Sequence, residues 1–444
     1  MTLDSFFRIR ARGSSVRTEA AAGLATFLTM AYIVFVNPAV LSQTGMDFGA
    51  LLVATCLAAA AGSLLMGLLA NYPIALAPGM GENFFFAGAV LTMGITWQQG
   101  LAAVFFSGCL FLLLSIVRVR EMVLDGIPEV LKHAIAAGIG LFVVLIGLVS
   151  GGIVVRHPIS PVVPVRLGDL HDPGTQTALV GLLLTIILFA RRIRGAILLG
   201  ILGTALFGFA RGIVRFHGIV SAPPSIRPTL MQMDLGSLGN PHLWPVVLIF
   251  LYMALFDAIG TLIGVGEQAG LLRNGRLPRA TRALSADAAA SIVGASLGTS
   301  TVTAYVESAA GVQVGGRTGF ASVVTAGLFL VALFFSPLVA SIGGGYESAP
   351  GIFLYPVTAP AMIVVGSLMA RSLAKLPWDD PAQSLPAFLA AIGIPLTYSI
   401  ADGLAIGFVS YPIVMSCAGR SREVRPLAYL LGLLFVLRYV FLAS

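Results

Sequence analysis

Four carboxylates lie well inside apolar stretches of this 444-residue chain: Glu82, Asp257, Glu307 and Asp402. A charged side chain deep in a membrane is costly, so an acid in such a place is a candidate for function by default. No lysine or arginine lies in the same stretches to pair with them. An acidic, polar site without positive partners suits a neutral ligand rich in N–H donors, or a cation, and disfavours an anion. Unpaired acids of this kind can exchange a proton near neutral pH. The competing reading for each is a carboxylate tied to backbone amides at a broken helix. That reading weighs most for Asp402, which stands beside Gly403.

The stretch around Glu307 is Leu297–Gly316, LGTSTVTAYVESAAGVQVGG. It opens on a hydroxyl-rich, β-branched run, turns helix-like at Glu307 and closes on Gly311, Gly315 and Gly316. A membrane span needs about 20 apolar residues, and this is too short and too broken. Backbone freed in that way is tolerated in a membrane only where it faces protein or a water-filled cavity. Asn71–Val90, NYPIALAPGMGENFFFAGAV, has the same build: an extended beginning, a Pro78-Gly79 break and a polar pair, Glu82-Asn83, in a short apolar run. Asn83 and Glu307 are 224 positions apart, close to half the chain. Interrupted segments at matching places in two halves point to a transporter site between inverted repeats.

Asp257 sits mid-span in LYMALFDAIGTLIGVG, with Thr261 four residues on and therefore on the same helix face. Thr303 and Ser308 flank Glu307 and complete the candidate ligand contacts: Asn83, Asp257, Glu307, Thr261, Glu82, Ser308 and Thr303. Glu267 and Asp287 fall near span ends and read as cap or interface residues. His133 reads as a helix-end residue facing water, and Phe84-Phe85-Phe86 as apolar packing. Gly294–Gly298 matches G-x-S-x-G but ends an apolar helix with no histidine near it in sequence, so the match is taken as chance.

The elements that position these residues are membrane spans. The chain is 57% hydrophobic and 10% charged, with a mean hydropathy of +0.96; a soluble protein is about 25% charged. The net charge of +7 comes from arginines in short loops, so it reports orientation in a membrane and not nucleic-acid binding. Cys56, Cys109 and Cys417 are far apart and give neither a disulfide framework nor a zinc spacing. Candidate spans are 20–41, 49–70, 80–94, 98–117, 129–150, 176–190 and 195–214, then 244–266, 283–298, 304–315, 319–341, 350–370, a region 383–418 with a break expected at Pro395, and 425–442. The domains expected are an N-terminus 1–19, a first repeat 20–214, a polar, proline-rich link 215–243 and a second repeat 244–444. With the N-terminus in the cytoplasm, the basic clusters Arg8–Arg17, Arg118/Arg120, Arg191–Arg194, Arg273–Arg282 and Arg371/Lys375 all fall inside. Arg420, Arg422 and Arg425 fall outside if 383–418 is one span.

At these residues the sequence resembles the AzgA-like branch of the nucleobase–cation symporters. The resemblance rests on APGMGENFFFAG, LFDAIGTLIGVG, LSADAAASIVGASLGTSTVTAYVESAAGVQVGGRTG and YSIADGLAIGFVSY, and on the N-terminal SVRTEAAAGLATFLTMAYIVFVNPAVL, and it covers nearly the whole chain. It implies an all-α polytopic membrane protein with 14 transmembrane segments in two inverted seven-span repeats. Short extended stretches fall in the third and tenth segments. A core (spans one to four and eight to eleven) would move against a gate (five to seven and twelve to fourteen). It further implies import of purine bases such as adenine, guanine or hypoxanthine, coupled to protons, and the reading adopted is alternating access in the cell inner membrane without a cofactor or metal; sodium in place of the proton, and a homodimer, stay open. By motif match Asp257 and Glu307 would bind the base and carry the proton, and Asn83 would be the third-span asparagine. Glu82 departs from the family, which usually has an apolar residue there. The other readings are a xanthine/uracil-type permease, an anion transporter of the same fold, and an intramembrane enzyme; against the last, no H-E-x-x-H motif is present.

Overall fold

A computed structural model describes residues 3–117, 128–156, 165–193, 195–271, 277–349, 352–398 and 400–441. Among them are 18 α-helices and three two-stranded sheets. Seven helical stretches are long and apolar enough to cross a membrane: Val16–Thr44, Phe48–Ala70, Trp97–Ile116, Glu129–Ser150, Pro173–Ala190, Trp244–Gly266 and Gly319–Gly343. Shorter apolar helices cover Ala196–Ala210, Asp402–Cys417 and Pro426–Leu437. The chain forms two compact units, 1–116 with 148–361 and 117–147 with 362–444. The helices over Pro173–Ala190 and Ala196–Ala210, which the resemblance places in the gate, belong to the first unit.

The first unit is built on α2 (Val16–Met30), α3 (Ile33–Leu41), α4 (Phe48–Leu65), α5 (Met80–Thr92), α10 (Trp244–Gln268), α11 (Ala280–Leu297), α12 (Ser308–Val314) and α13 (Gly319–Ala332). Between α4 and α5 runs strand β1 (Leu76–Pro78), and between α11 and α12 runs β4 (Val302–Ala304). They pair antiparallel with Ala77 opposite Thr303. Neither strand could survive alone in an apolar interior, where unpaired backbone groups cost several kcal/mol each. Their outer edges are satisfied as well. The Ser63 hydroxyl on α4 accepts from Leu76 N at 2.9 Å and lies 3.0 Å from Leu76 O, and the Ser291 hydroxyl on α11 donates to Val302 O at 2.8 Å. Tyr305 N donates to Ala75 O, and Gly79 N to Thr301 O.

The order of elements repeats. Starts at 16, 48, 76, 80, 97 and 129 recur at 244, 280, 302, 308, 319 and 359, an offset between 222 and 232. Those at 173 and 196 recur at 381 and 400, offsets of 208 and 204. Glycines set two of the helix crossings. α2 and α12 meet backbone to backbone, because a Cβ on Gly311 would lie 2.2 Å from Thr26 Oγ1 and 2.6 Å from Ala22 O. In the second unit Gly140 of α7 (Glu129–Ser150) and Gly366 of α15 (Ala359–Ala370) face each other. A Cβ on either would lie 2.6 or 2.5 Å from the other's carbonyl oxygen, so only glycine fits this crossing.

Two expectations change. The region 383–418 is a pair of helices, α16 (Pro381–Thr397) and α17 (Ile400–Cys417), followed by α18 (Pro426–Phe441). Pro395 stays within the last turn of α16, and the reversal comes at Tyr398, whose φ of 55° is left-handed. At about 1.5 Å per residue each helix is about 26 Å long, close to the thickness of the hydrocarbon core. Arg420 at the end of α17 donates to Asp380 at the start of α16 at 2.6 Å, so the two helices run antiparallel. Arg420 therefore lies at the same end as Arg371 and Lys375, from which no crossing helix separates Asp380. Arg420, Arg422 and Arg425 thereby join the basic residues Arg371 and Lys375 of the same unit. The segment 215–243 is also more than a link. Met231 N donates to Ser296 O, Asp234 N to Gln98 O and Ser221 N to Phe334 O, which straps it across the ends of several helices.

Single cysteines Ser372→Cys and Ser421→Cys, in a background with Cys56, Cys109 and Cys417 replaced by serine, should react with an impermeant maleimide from the same side of the membrane. Labelling from opposite sides would mean that α16 and α17 form a single crossing.

Candidate functional site

The strand crossing brings five of the predicted residues to one place. Glu82 and Asn83 lie in the first turn of α5, Thr303 lies in β4, and Glu307 and Ser308 lie at the start of α12. α10, which carries Asp257 and Thr261, packs beside β4, α5, α11 and α12. Asp257 is within electrostatic reach of both Glu307 and Glu82.

The residues differ in access. Asp257 is exposed and Thr261 half-buried, and around Gly260 and Gly264 on the same helix nothing lies within 4 Å of where a Cβ would stand. Glu307 is half-buried. The Tyr32 hydroxyl, from the junction of α2 and α3, donates to its Oε1 at 2.8 Å, and Thr29 Oγ1 lies 3.2 Å from its backbone oxygen. Glu82 is 2% exposed. Its carboxylate folds back over Gly79, where a Cβ would stand 2.2 Å from Oε2 and 2.9 Å from Thr303 Cγ2, so glycine at 79 makes room for it. Asn83 is fully buried; its Oδ1 accepts from the Ser300 hydroxyl, and its Nδ2 has no partner among the described residues. Thr303 Oγ1 is also without one. Ser308 is buried, with its hydroxyl accepting from Ala75 N at 3.0 Å. Its placement is that of a brace between the two broken segments.

Asp287 corrects the sequence reading. α11 starts at Ala280, so Asp287 is eight residues into a helix and fully buried, not at a span end. Its Oδ1 accepts from Ala304 N of β4 at 2.9 Å, and its electrostatic neighbours include Asp257 and Glu82. It supplies the bond that the free edge of β4 would otherwise lack. The run of small residues around it, Ala286 and Ala288–Ala290, was the signal of a tightly packed helix. Tyr32 and Tyr305 were missed for a different reason: tyrosine in an apolar stretch is ordinary, and nothing local marks its hydroxyl. Tyr305 donates to Pro78 O at 2.6 Å and lies near Tyr32, Glu307, Glu82 and Asp257.

Asp402 belongs to the second unit, where the Tyr439 hydroxyl donates to it. His133 lies in the first turns of α7, 3.8 Å from Glu129. Phe84, Phe85 and Phe86 are buried, with Phe85 edge-on to Phe250 at 4.7 Å. Ser296 donates to Ile292 O, and Gly298 caps α11 in a left-handed conformation, so G-x-S-x-G here is a helix end and not an elbow. Among the described residues no ion pair involves Glu82, Asp257, Asp287 or Glu307, and none forms a group of three His, Cys, Asp or Glu suited to a metal.

This arrangement can accept N–H donors of a neutral ligand at Asp257 and Glu307, with hydroxyls close by. The Xan_ur_permease profile of the permease family matches residues 17–406. The chain is 44% identical to the adenine permease AdeP of Escherichia coli (strain K12), over 99% of this chain and 96% of that one. It is 45% identical to the guanine/hypoxanthine permease PbuG of Bacillus subtilis (strain 168), over 99% and 100%. Among solved structures, the transmembrane domain of the cyanobacterium bicarbonate transporter BicA matches with a TM-score of 0.64 at 13% identity, over 88% of this chain and 97% of that one; the likeness is one of fold.

Asp287→Ala should lower the melting temperature in detergent, since an unmade bond to a buried N–H costs about 1–3 kcal/mol. Asp287→Asn, which keeps an acceptor, should melt close to the wild type. Equal melting of all three would show that the bond to Ala304 N does not hold β4.

Proposed function

The chain belongs to the Xan_ur_permease permease family, in its AzgA-like nucleobase branch, and on that premise we propose that it imports purine bases (adenine, guanine or hypoxanthine) together with a proton. The observation that carries the reading is the pair of accessible carboxylates, Asp257 and Glu307, beside the strand crossing with no cationic partner among the described residues. A purine offers ring and exocyclic N–H donors, and an ionised carboxylate only accepts. A site built on such bonds rejects analogues that lack the donor. In this reading Asp257 and Glu307 take the base, and Asn83, Thr261, Thr303, Ser308 and Glu82 line or brace its site.

The relatives' substrates, adenine for one and guanine or hypoxanthine for the other, support these three purines over xanthine or uracil. The fold shared with a bicarbonate transporter allows an anion, but carboxylates within electrostatic reach of one another would repel it. Proton coupling follows if Asp257 gains a proton with the base: a protonated carboxyl can donate to a ring nitrogen and an ionised one cannot. Binding and proton loading are then linked, and a gradient drives accumulation. Fourteen spans in two inverted repeats, with a core rocking against a gate between outward-open and inward-open forms, would provide alternating access. An N-terminus on the cytoplasmic side of the inner membrane puts the arginine clusters, Arg420 among them, inside.

Uptake of labelled adenine into proteoliposomes, competed by guanine, hypoxanthine, xanthine, uracil and sulfate, should be blocked by purines and not by sulfate. Inhibition by sulfate alone would overturn the reading. Glu307→Gln should reduce uptake to near background while the protein remains folded. Asp257→Asn should keep base exchange and lose accumulation driven by an acidic exterior; accumulation in proportion to the gradient in that variant would remove Asp257 as proton carrier. Glu82→Leu should change the order of inhibition among the purines more than it changes membrane insertion, and an unchanged order would place Glu82 outside the binding site.

A further inference from the structure

Glu307 is gripped by the first span. α2 meets α12 along Ala22, Thr26 and Thr29, with Gly311 allowing contact at the level of the backbone. That contact delivers the next turn, where α2 ends at Met30 and α3 begins at Ile33, directly over Glu307. Tyr32 in this junction is 1% exposed, and its hydroxyl stands 2.8 Å from Glu307 Oε1. Among the described residues Tyr32 is the one side chain that hydrogen-bonds this carboxylate; Glu307's own N–H is its other donor. Tyr32 lies beside Tyr305, whose hydroxyl donates to Pro78 O at the break before α5. Both broken segments and the first span thus meet at one buried pair of tyrosines.

We propose that Tyr32 is a positioning residue for substrate binding, a role that rests on the purine-transport reading: its hydroxyl fixes the carboxyl plane of Glu307 and occupies Oε1, so that Oε2 is presented to an N–H of the base. A carboxylate on a flexible side chain would otherwise rotate freely, and its ordering would have to be met out of the binding free energy. A donor already seated on one oxygen removes that cost and leaves a single acceptor direction at Oε2. The base then engages Glu307 through one N–H, not through two side by side. Its other donors fall to other acceptors such as Asp257.

The test is purine uptake by Tyr32→Phe, which removes the hydroxyl and keeps the buried ring. KM for the base should rise about tenfold, as expected for losing one hydrogen bond to a charged group, about 1.4 kcal/mol at that ratio. Vmax should stay within about twofold and the melting temperature near wild type, since the ring's burial is untouched. Tyr305→Phe, which cuts the tie to Pro78 and spares the Tyr32–Glu307 bond, should raise KM less. An unchanged KM in Tyr32→Phe overturns the proposal. So does a lowered melting temperature with unchanged KM, or loss of folded protein, either of which makes the contact purely structural. An equal rise in both variants also overturns it, because the effect then belongs to the tyrosine pair. Absence of purine uptake by the wild type is a separate outcome, which sinks the transport reading itself.

Discussion

Everything near the site depends on six residues of extended backbone in an apolar interior. β1 and β4 have no helix of their own to satisfy their N–H and C=O groups, so they satisfy each other and borrow side chains for the rest. Ser63 reaches in from α4, and Ser291 and Asp287 from α11. The serines are 228 positions apart and do the same work on the two strands. A pairing this short holds because each lender sits on a long, well-packed helix.

That constraint also sorts the acids. Asp287 is committed to backbone, and Glu82 is folded over Gly79 and covered by Thr303. Asp257 and Glu307 keep acceptor capacity and access. Similar carboxylates, in one neighbourhood, come to different tasks through burial and partners alone. No cation is paired to any of them among the described residues, so a ligand bringing N–H groups or a proton, as proposed, would relieve their mutual repulsion.

The second unit solves a different problem. Its helices cross at Gly140 and Gly366, where carbonyl oxygens take the place of side chains as the contact surface. Its hairpin α16/α17 is closed at one end by the left-handed Tyr398 and tied at the other by Arg420 on Asp380 and Glu423. The Arg420 and Gln383 hydrogen bonds hold the Asp380 carboxyl below its usual range, as expected for an acid whose charged form is bonded. Being at the protein surface, this cluster contributes more to where the hairpin ends than to how stable it is.

Much of this was legible in the chain itself. Hydropathy marked the long spans, because burying apolar residues in lipid needs no partner to be chosen in advance. Pro78-Gly79 and the run Thr299–Thr303 marked the broken segments, because each fails locally as a helix. Asp257, Glu307 and Asn83 stood out as polar groups where polarity is costly. What could not be read was every feature that depends on a distant partner. Asp287 looked like a span-end residue until β4 supplied Ala304 N, and nothing local marked Tyr32 until α12 placed Glu307 at its hydroxyl. Pro395 looked like the break, but the turn fell at Tyr398, where helix packing and not proline chemistry closes the hairpin. Local sequence determined which segments are apolar, which are broken and which acids are out of place. Only the tertiary structure decided which of those acids is spent on backbone and which is left for a ligand, because a hydrogen bond is fixed by where its two ends meet.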